Sequence, residues 1–206
     1  MKRLFLASFF KEVADLFPGF AGRSCVGESV CFIPTAARLE KFAFYVGADR
    51  KALTKLGLVV TDLDVSTATE DEIVDRLSGA DHIFVSGGNT FFLLQELRRT
   101  GADRLMVEQI EDGKSYIGSS AGSVVLARDI EYITPMDSPA VAPELRGDFA
   151  ALSMVDFCVV PHATNAPFKK AVAGIRVVYG DRLDLRPISN NQAITVEGDS
   201  VRRLTA

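Results

Sequence analysis

"HIFVSGGNTFFLLQELRRTG", residues 82–101, reads as a strand, a glycine turn and a helix in direct succession. Ile83, Phe84 and Val85 make an unbroken apolar run, as in a strand covered on both faces. Asn89 or Thr90 supplies an N-cap, and Gly101 stands near the helix end. A doubly covered strand that leads straight into a helix is half of a βαβ crossover. The stretch therefore points to a parallel sheet.

Working outward, the same alternation runs along the chain. "RLFLASFF" (3–10), "SVCFIPTA" (29–36), "LVVTDLDV" (58–65) and "SYIGSS" (115–120) read as strands. "FKEVADLF" (10–17), "ARLEKFAFYVGADRKALTKLG" (37–57), "ATEDEIVDRLSGA" (68–80), "MVEQIEDG" (106–113) and "AGSVVLARD" (121–129) read as helical. "YITPMDSPAVAPELRGDFAAL" (132–152) breaks the pattern and holds three of the eight prolines, so it reads as a long functional excursion. "DFCVVPHATN" (156–165) is then a strand and loop, "PFKKAVAGIRVVYGD" (167–181) a helix, and "QAITVEGDSVRRL" (192–204) a hairpin turning at Glu197-Gly198-Asp199. This order predicts an α/β fold. A mostly parallel sheet would lie between helical layers, a three-layer α/β/α sandwich, in a single domain over 1–206.

The composition narrows the function. Hydrophobic residues are 48% and charged residues 24%, as in ordinary globular domains. A net charge of −4, without a Lys/Arg run, argues against nucleic-acid or anionic-membrane partners. No segment approaches the roughly 20 apolar residues of a membrane span. The three cysteines form no C-x-x-C pair, and their odd count points to reduced thiols in a cytoplasmic protein. The opening "MKRLFLASFFKEVADLF" has a basic tip and an apolar run. Lys11, Glu12 and Asp15 follow without a cleavage site, so a first strand is the better reading than a signal peptide.

Ligands of open parallel sheets bind beyond the carboxyl ends of the strands. Three unusual stretches fall there, and the strand assignments put them on one edge of one sheet: Ser86-Gly87-Gly88-Asn89, Gly118-Ser119-Ser120-Ala121-Gly122 and Pro161-His162-Ala163-Thr164-Asn165. Ser120 has small residues two positions before and after it, the spacing of a nucleophile elbow. The bland alternative is a Gly/Ser turn that only permits close packing. A serine nucleophile needs a base. The chain has two histidines. His82 lies at the amino end of its strand, the wrong edge, and reads as structural. His162 follows a strand end and is the candidate base. The Gly87-Gly88 turn and the N–H of Ala121 are candidate oxyanion donors.

"FVSGGNTFFLLQEL", "YIGSSAGSVVLA" and "VVPHATN", in this order and spacing, resemble the peptidase E family of α-aspartyl dipeptidases and their cyanophycinase relatives. "LFLASFF" and "VCFIPTAA" resemble its first two strands, so the likeness covers nearly the whole chain. The resemblance implies a flavodoxin-like, glutamine-amidotransferase-related fold, a serine nucleophile and no metal or other cofactor. It implies Ser120 as nucleophile, His162 as base, and Gly88 and Ala121 as the oxyanion hole. Peptidase E places a glutamate before the last hairpin. Here Asn190 stands at that position, with Asn191 beside it. Asp137 in "MDSP", which resembles an important Asp-x-Pro segment of the family, is the other candidate for the third triad member. Glu197, at the hairpin turn, is discounted.

The resemblance also implies a small peptide substrate, with dipeptides bearing an N-terminal aspartate as the family example. Such a substrate needs a cation for its side chain. Arg176, Lys169 and Lys170 are candidates, although the lysines also read as a solvated helix face. Asn89 and Thr90 are candidate substrate contacts, and the assembly is expected to be a monomer or homodimer. Two other readings compete. One is an α/β-hydrolase esterase, which the short chain after Ser120 disfavours. The other is a binding or regulatory protein that keeps the elbow without efficient catalysis, a reading sustained by Asn190.

Overall fold

The computed structural model describes all residues from Met1 to Ala206. The strands are β1 (Arg3–Ala7), β2 (Ser29–Ile33), β3 (Val59–Asp62), β4 (His82–Val85), β5 (Ser115–Ser119), β6 (Cys158–Val160), β7 (Leu185–Pro187), β8 (Gln192–Glu197) and β9 (Ser200–Thr205). The helices are α1 (Phe10–Val13), α2 (Phe17–Ala21), α3 (Phe44–Lys55), α4 (Glu70–Gly79), α5 (Thr90–Thr100), α6 (Ala102–Glu111), α7 (Ala121–Val124) and α8 (Lys169–Tyr179). The main sheet has seven strands in the order β3-β2-β4-β5-β1-β8-β9. From β3 to β1 every pairing is parallel; β8 and β9 add an antiparallel margin. The expected three-layer α/β/α architecture is the one observed.

Strand alternation builds the two faces. Leu4, Leu6, Cys31, Ile33, Ile83 and Val85 point into one buried cluster, under α4 to α8 and the segment after residue 130. Phe5, Ala7, Val30, Phe32 and Phe84 point into the other, under α1, α2 and α3. There Phe10 meets Phe5, Phe17 and Phe84 edge-on at centroid distances of 6.1, 6.4 and 5.1 Å. Edge-to-face aromatic packing of this kind clamps the segment after β1 to the sheet.

Several elements differ from the sequence reading. The helix expected over 121–129 stops at Val124. The carbonyls of Val125, Leu126, Ala127 and Arg128 accept instead from the returning segment 151–155, so no helical ladder continues. The helix expected over 37–57 begins only at Phe44. Ala36 O is occupied by the Asn89 N–H at 2.8 Å, and tight i→i+3 turns follow it. The run 10–17 is split, because α2 starts afresh around Pro18. Most consequential is β6. It does not belong to the main sheet but pairs with the short strand β7 in a separate parallel ladder. Both edges of β1 are already taken, by β5 and by β8. The three site-bearing turns thus converge in space without sharing one sheet.

Candidate active site

Ser120 sits between β5 and α7 at φ 51°, ψ −108°. Positive φ is costly for a residue with a Cβ and persists only where its surroundings enforce it. Here they do. The Ser120 N–H donates to Ala7 O at 3.0 Å, and the Ser123 hydroxyl donates to the same oxygen at 2.8 Å. The buried Tyr116 hydroxyl donates to Gly122 O at 2.6 Å. The two elbow glycines are demanded by close approach: a Cβ on Gly122 would lie 2.2 Å from Val85 O, and one on Gly118 would lie 2.6 Å from Gly122 O. The turn is therefore strained and bolted to both neighbouring strands, with the Ser120 side chain facing a cavity.

His162 Nε2 lies 2.9 Å from Ser120 Oγ. On the other side of the ring, Nδ1 lies 2.6 Å from Asn190 Oδ1. An amide oxygen only accepts, so Nδ1 carries the hydrogen and the Nε2 lone pair is left for the serine hydroxyl. Ser8, at the end of β1, ties the arrangement together. Its hydroxyl donates to Asn190 Oδ1 at 3.1 Å and accepts from the His162 N–H at 2.8 Å. The Phe168 ring stacks on the imidazole at 4.7 Å. Burial pushes His162 below its ordinary pKa, partly opposed by the Asn190 bond. The imidazole therefore stays neutral, and basic, to a lower pH than a free histidine would.

Across the cavity, the Gly87-Gly88 turn packs against the elbow. A Cβ on Gly87 would lie 3.3 Å from the Ser120 Cβ. Gly88 has φ +136°, and a Cβ there would lie 2.2 Å from the Ala36 carbonyl, so only glycine fits. Neither the Gly88 N–H nor the Ala121 N–H has an acceptor within the protein. Just beyond, Asp137 Oδ2 accepts from the Thr90 N–H at 2.8 Å and the Thr90 hydroxyl at 2.6 Å. Gly87, Gly88, Thr90 and Asp137 border a cavity of about 460 Å³, shared with Ser120, Glu40, Tyr45 and apolar side chains.

Known proteins resemble the chain over nearly its whole length. Residues 4–204 match the model of peptidase family S51. The chain belongs to peptidase family S51. It is a serine-type peptidase. An uncharacterized peptidase of Listeria innocua is 51% identical over 201 residues, which are 98% of this chain and 95% of that one. Peptidase E of Shewanella amazonensis is 36% identical over 134 residues, 65% of this chain and 53% of the other. Among solved structures, the crystal structure of a candidate peptidase E protein from Listeria monocytogenes superposes with a TM-score of 0.94 at 47% identity, covering 100% and 99% of the two chains.

The S51 chain brings together Ser120, His162, Asn190, Gly88, Ala121, Thr90 and Asp137, and excludes other candidates. Asn191 is exposed and turned to the chain end, its carbonyl accepting from the Ala206 N–H at 3.0 Å. Asp137 is on the cavity wall but bonds Thr90, not His162. Asn89 is spent on structure: its Oδ1 caps α5 through the Phe92 N–H at 2.9 Å and its Nδ2 donates to Ser138 O at 3.0 Å. Arg176, Lys169 and Lys170 are exposed on α8 and do not border the cavity. No Lys or Arg borders it at all. His82 is buried at the far edge against Glu28, 2.7 Å away, as its position predicts. Glu197 pairs with Arg3 at 3.6 Å.

Ser8, Tyr45, Glu40 and Phe168 were not singled out from sequence. Ser8 alone carried a signal, a polar residue directly after the apolar run Leu4 to Ala7. No helix of the chain is long and apolar enough to cross a membrane.

Proposed function

We propose that the chain hydrolyses short peptides through an acyl-enzyme on Ser120. His162 Nε2 takes the hydroxyl proton as Oγ attacks the scissile carbonyl. It returns that proton to the leaving amine as the C–N bond breaks. A water deprotonated at the same nitrogen then attacks the ester and frees the product acid. The Gly88 and Ala121 N–H groups receive the oxyanion. Asn190 acts as the third triad member: it fixes the tautomer without adding charge. Because α7 is a single turn, the oxyanion is stabilised by these individual N–H groups more than by a helix dipole.

One observation carries the reading: the 2.9 Å contact between a strained, outward-facing Ser120 and a histidine whose other nitrogen is already committed. Wild type should be labelled at Ser120 by a fluorophosphonate and should cleave dipeptides. Ser120→Ala should do neither. The uncharged Asn190 favours a second reading, a binding protein with little catalysis. Absence of labelling across neutral pH would establish that reading instead.

A further inference from the structure

The cavity beside Ser120 has an unexpected charge. Its only ionisable acids and bases other than His162 and Tyr45 are two carboxylates, Glu40 and Asp137. Both have acceptor capacity to spare. Asp137 bonds Thr90 through Oδ2, and its Oδ1 takes no hydrogen bond from the protein. Glu40 is exposed and holds only the Tyr45 hydroxyl, through Oε2 at 2.6 Å. Burial raises Asp137 from its ordinary value; the Thr90 bonds oppose this and the Glu40 charge adds to it. The site thus repels negative charge and has a place for a cation.

The place is the right one for an α-amine. In a peptide the N-terminal nitrogen is two bonds from the first carbonyl carbon. Its counter-ion must therefore stand next to the oxyanion donors. Thr90, which anchors Asp137, is two residues after Gly88. The remaining wall offers apolar surface from Phe9, Phe44, Val124, Ile133, Met136 and Phe168. No lysine or arginine borders the cavity. Arg38 pairs with Asp64 at 2.9 Å, and Lys169 and Lys170 are solvated.

We propose that this cavity takes peptides whose free α-ammonium is held by Asp137 and Glu40 and whose first side chain is apolar, and that it rejects an acidic first residue. The assignment rests on the serine-peptidase reading for its orientation and departs from the N-terminal aspartate that the family resemblance implies. A carboxylate placed among Asp137 and Glu40 meets like charge with no lysine or arginine on the wall to compensate it, which is how a site discriminates against a substrate.

The test uses the full chain and Leu-Leu, Asp-Leu and N-acetyl-Leu-Leu. Hydrolysis is followed with wild type, and binding by calorimetry with Ser120→Ala, so that recognition is read without turnover. Leu-Leu should exceed Asp-Leu and the acetylated peptide by about 100-fold in kcat/KM and at least tenfold in affinity. Glu40→Gln should narrow the gap between Leu-Leu and its acetylated form about tenfold while Ser120 labels normally. Asp137→Asn, which keeps an acceptor for Thr90, should do the same. Preferred binding or cleavage of Asp-Leu, or indifference to acetylation, overturns the proposal. Loss of fluorophosphonate labelling with the binding preference intact overturns the catalytic reading and leaves this one standing.

Discussion

Replacing Asn190 by aspartate tests the charge behind the imidazole. Asn190 Oδ1 lies 2.6 Å from His162 Nδ1 and also accepts from Ser8. Asn190 Nδ2 donates to no protein group, so a carboxylate would lose no contact. At 2.6 Å between bonded atoms the two charge centres are about 4 Å apart. At an effective dielectric near 20, that separation gives an attraction of about 4 kcal/mol. Loss of imidazolium hydration and solvent screening at the cavity mouth reduce this, so an upward shift of about 2 pH units in His162 is expected, within the range of about 1–3 seen for adjacent opposite charges. Wild type starts below the ordinary histidine value because burial lowers it. Its acid limb in kcat/KM should therefore lie below about 6.5. In Asn190→Asp the limb should move up by about 2 units. A base stronger by 2 units, with a Brønsted coefficient of about one half, should raise the plateau roughly tenfold. The two pH profiles should then cross: the variant is about tenfold faster well above both limbs and about tenfold slower well below them. Kinetics on a Leu-Leu substrate from pH 4 to 9, with the His162 ring titrated by NMR, would read both quantities. An unmoved limb, or a ring pKa that stays put, would refute the claim that Asn190 is the partner of Nδ1.

Other perturbations test the frame around the site. Ser8→Ala removes the acceptor of the His162 N–H and one donor to Asn190; kcat should fall about tenfold with KM nearly unchanged, at a stability cost of about 1–3 kcal/mol in urea melts. Gly88→Ala puts a methyl 2.2 Å from the Ala36 carbonyl at φ +136°. It should cost roughly 2–4 kcal/mol of stability, and activity should fall by more than 100-fold as the oxyanion donor moves. Asp49 is fully buried, with Oδ1 on the Lys11 N–H at 2.9 Å and Oδ2 without a partner. Burial lifts it from 3.8 to about 7. A raised carboxyl pKa destabilises the fold increasingly as pH climbs from the unfolded value to the folded one, by up to roughly 4 kcal/mol. Asp49→Asn should accordingly flatten the stability profile between about pH 4 and 7 and melt no lower than wild type at pH 8, as measured by urea denaturation across pH. A lower midpoint at pH 8 would mean that the Asp49 charge is compensated by its surroundings.

Much of this architecture was legible in the chain because it is written in short-range pattern. Ile83 to Val85 and Leu4 to Ala7 are apolar on both pleats, so they announce strands covered on both sides. Gly118 and Gly122 bracket Ser120 at a spacing that only a sharp turn uses. His162 was separable from His82 by which end of a strand each occupies. Misreadings arose where a distant segment intervened. Val125 to Arg128 has adequate helical pattern, yet its carbonyls bond residues 151–155. Ala37 to Ala43 continues the helical pattern of the residues after it, yet the Asn89 N–H takes the Ala36 carbonyl and α3 begins only at Phe44.

By itself the sequence determined the α/β class and singled out the candidate nucleophile and its candidate base, since each depends on residues within a few positions of one another. The tertiary structure decided what stands behind the base. Asn190 matched the family position on paper, with Asn191 beside it and Asp137 as the rival carboxylate. β1 runs antiparallel beside β8 and parallel beside β5, and this places Ser8 and Asn190, 182 residues apart in sequence, at 3.1 Å beside the histidine. It also left the cavity with two carboxylates and no arginine. Strand order and the course of a long excursion are set by which buried faces fit together across the whole chain. Local periodicity carries no record of that choice, so the partner of His162 and the charge of the pocket became visible only in the folded molecule.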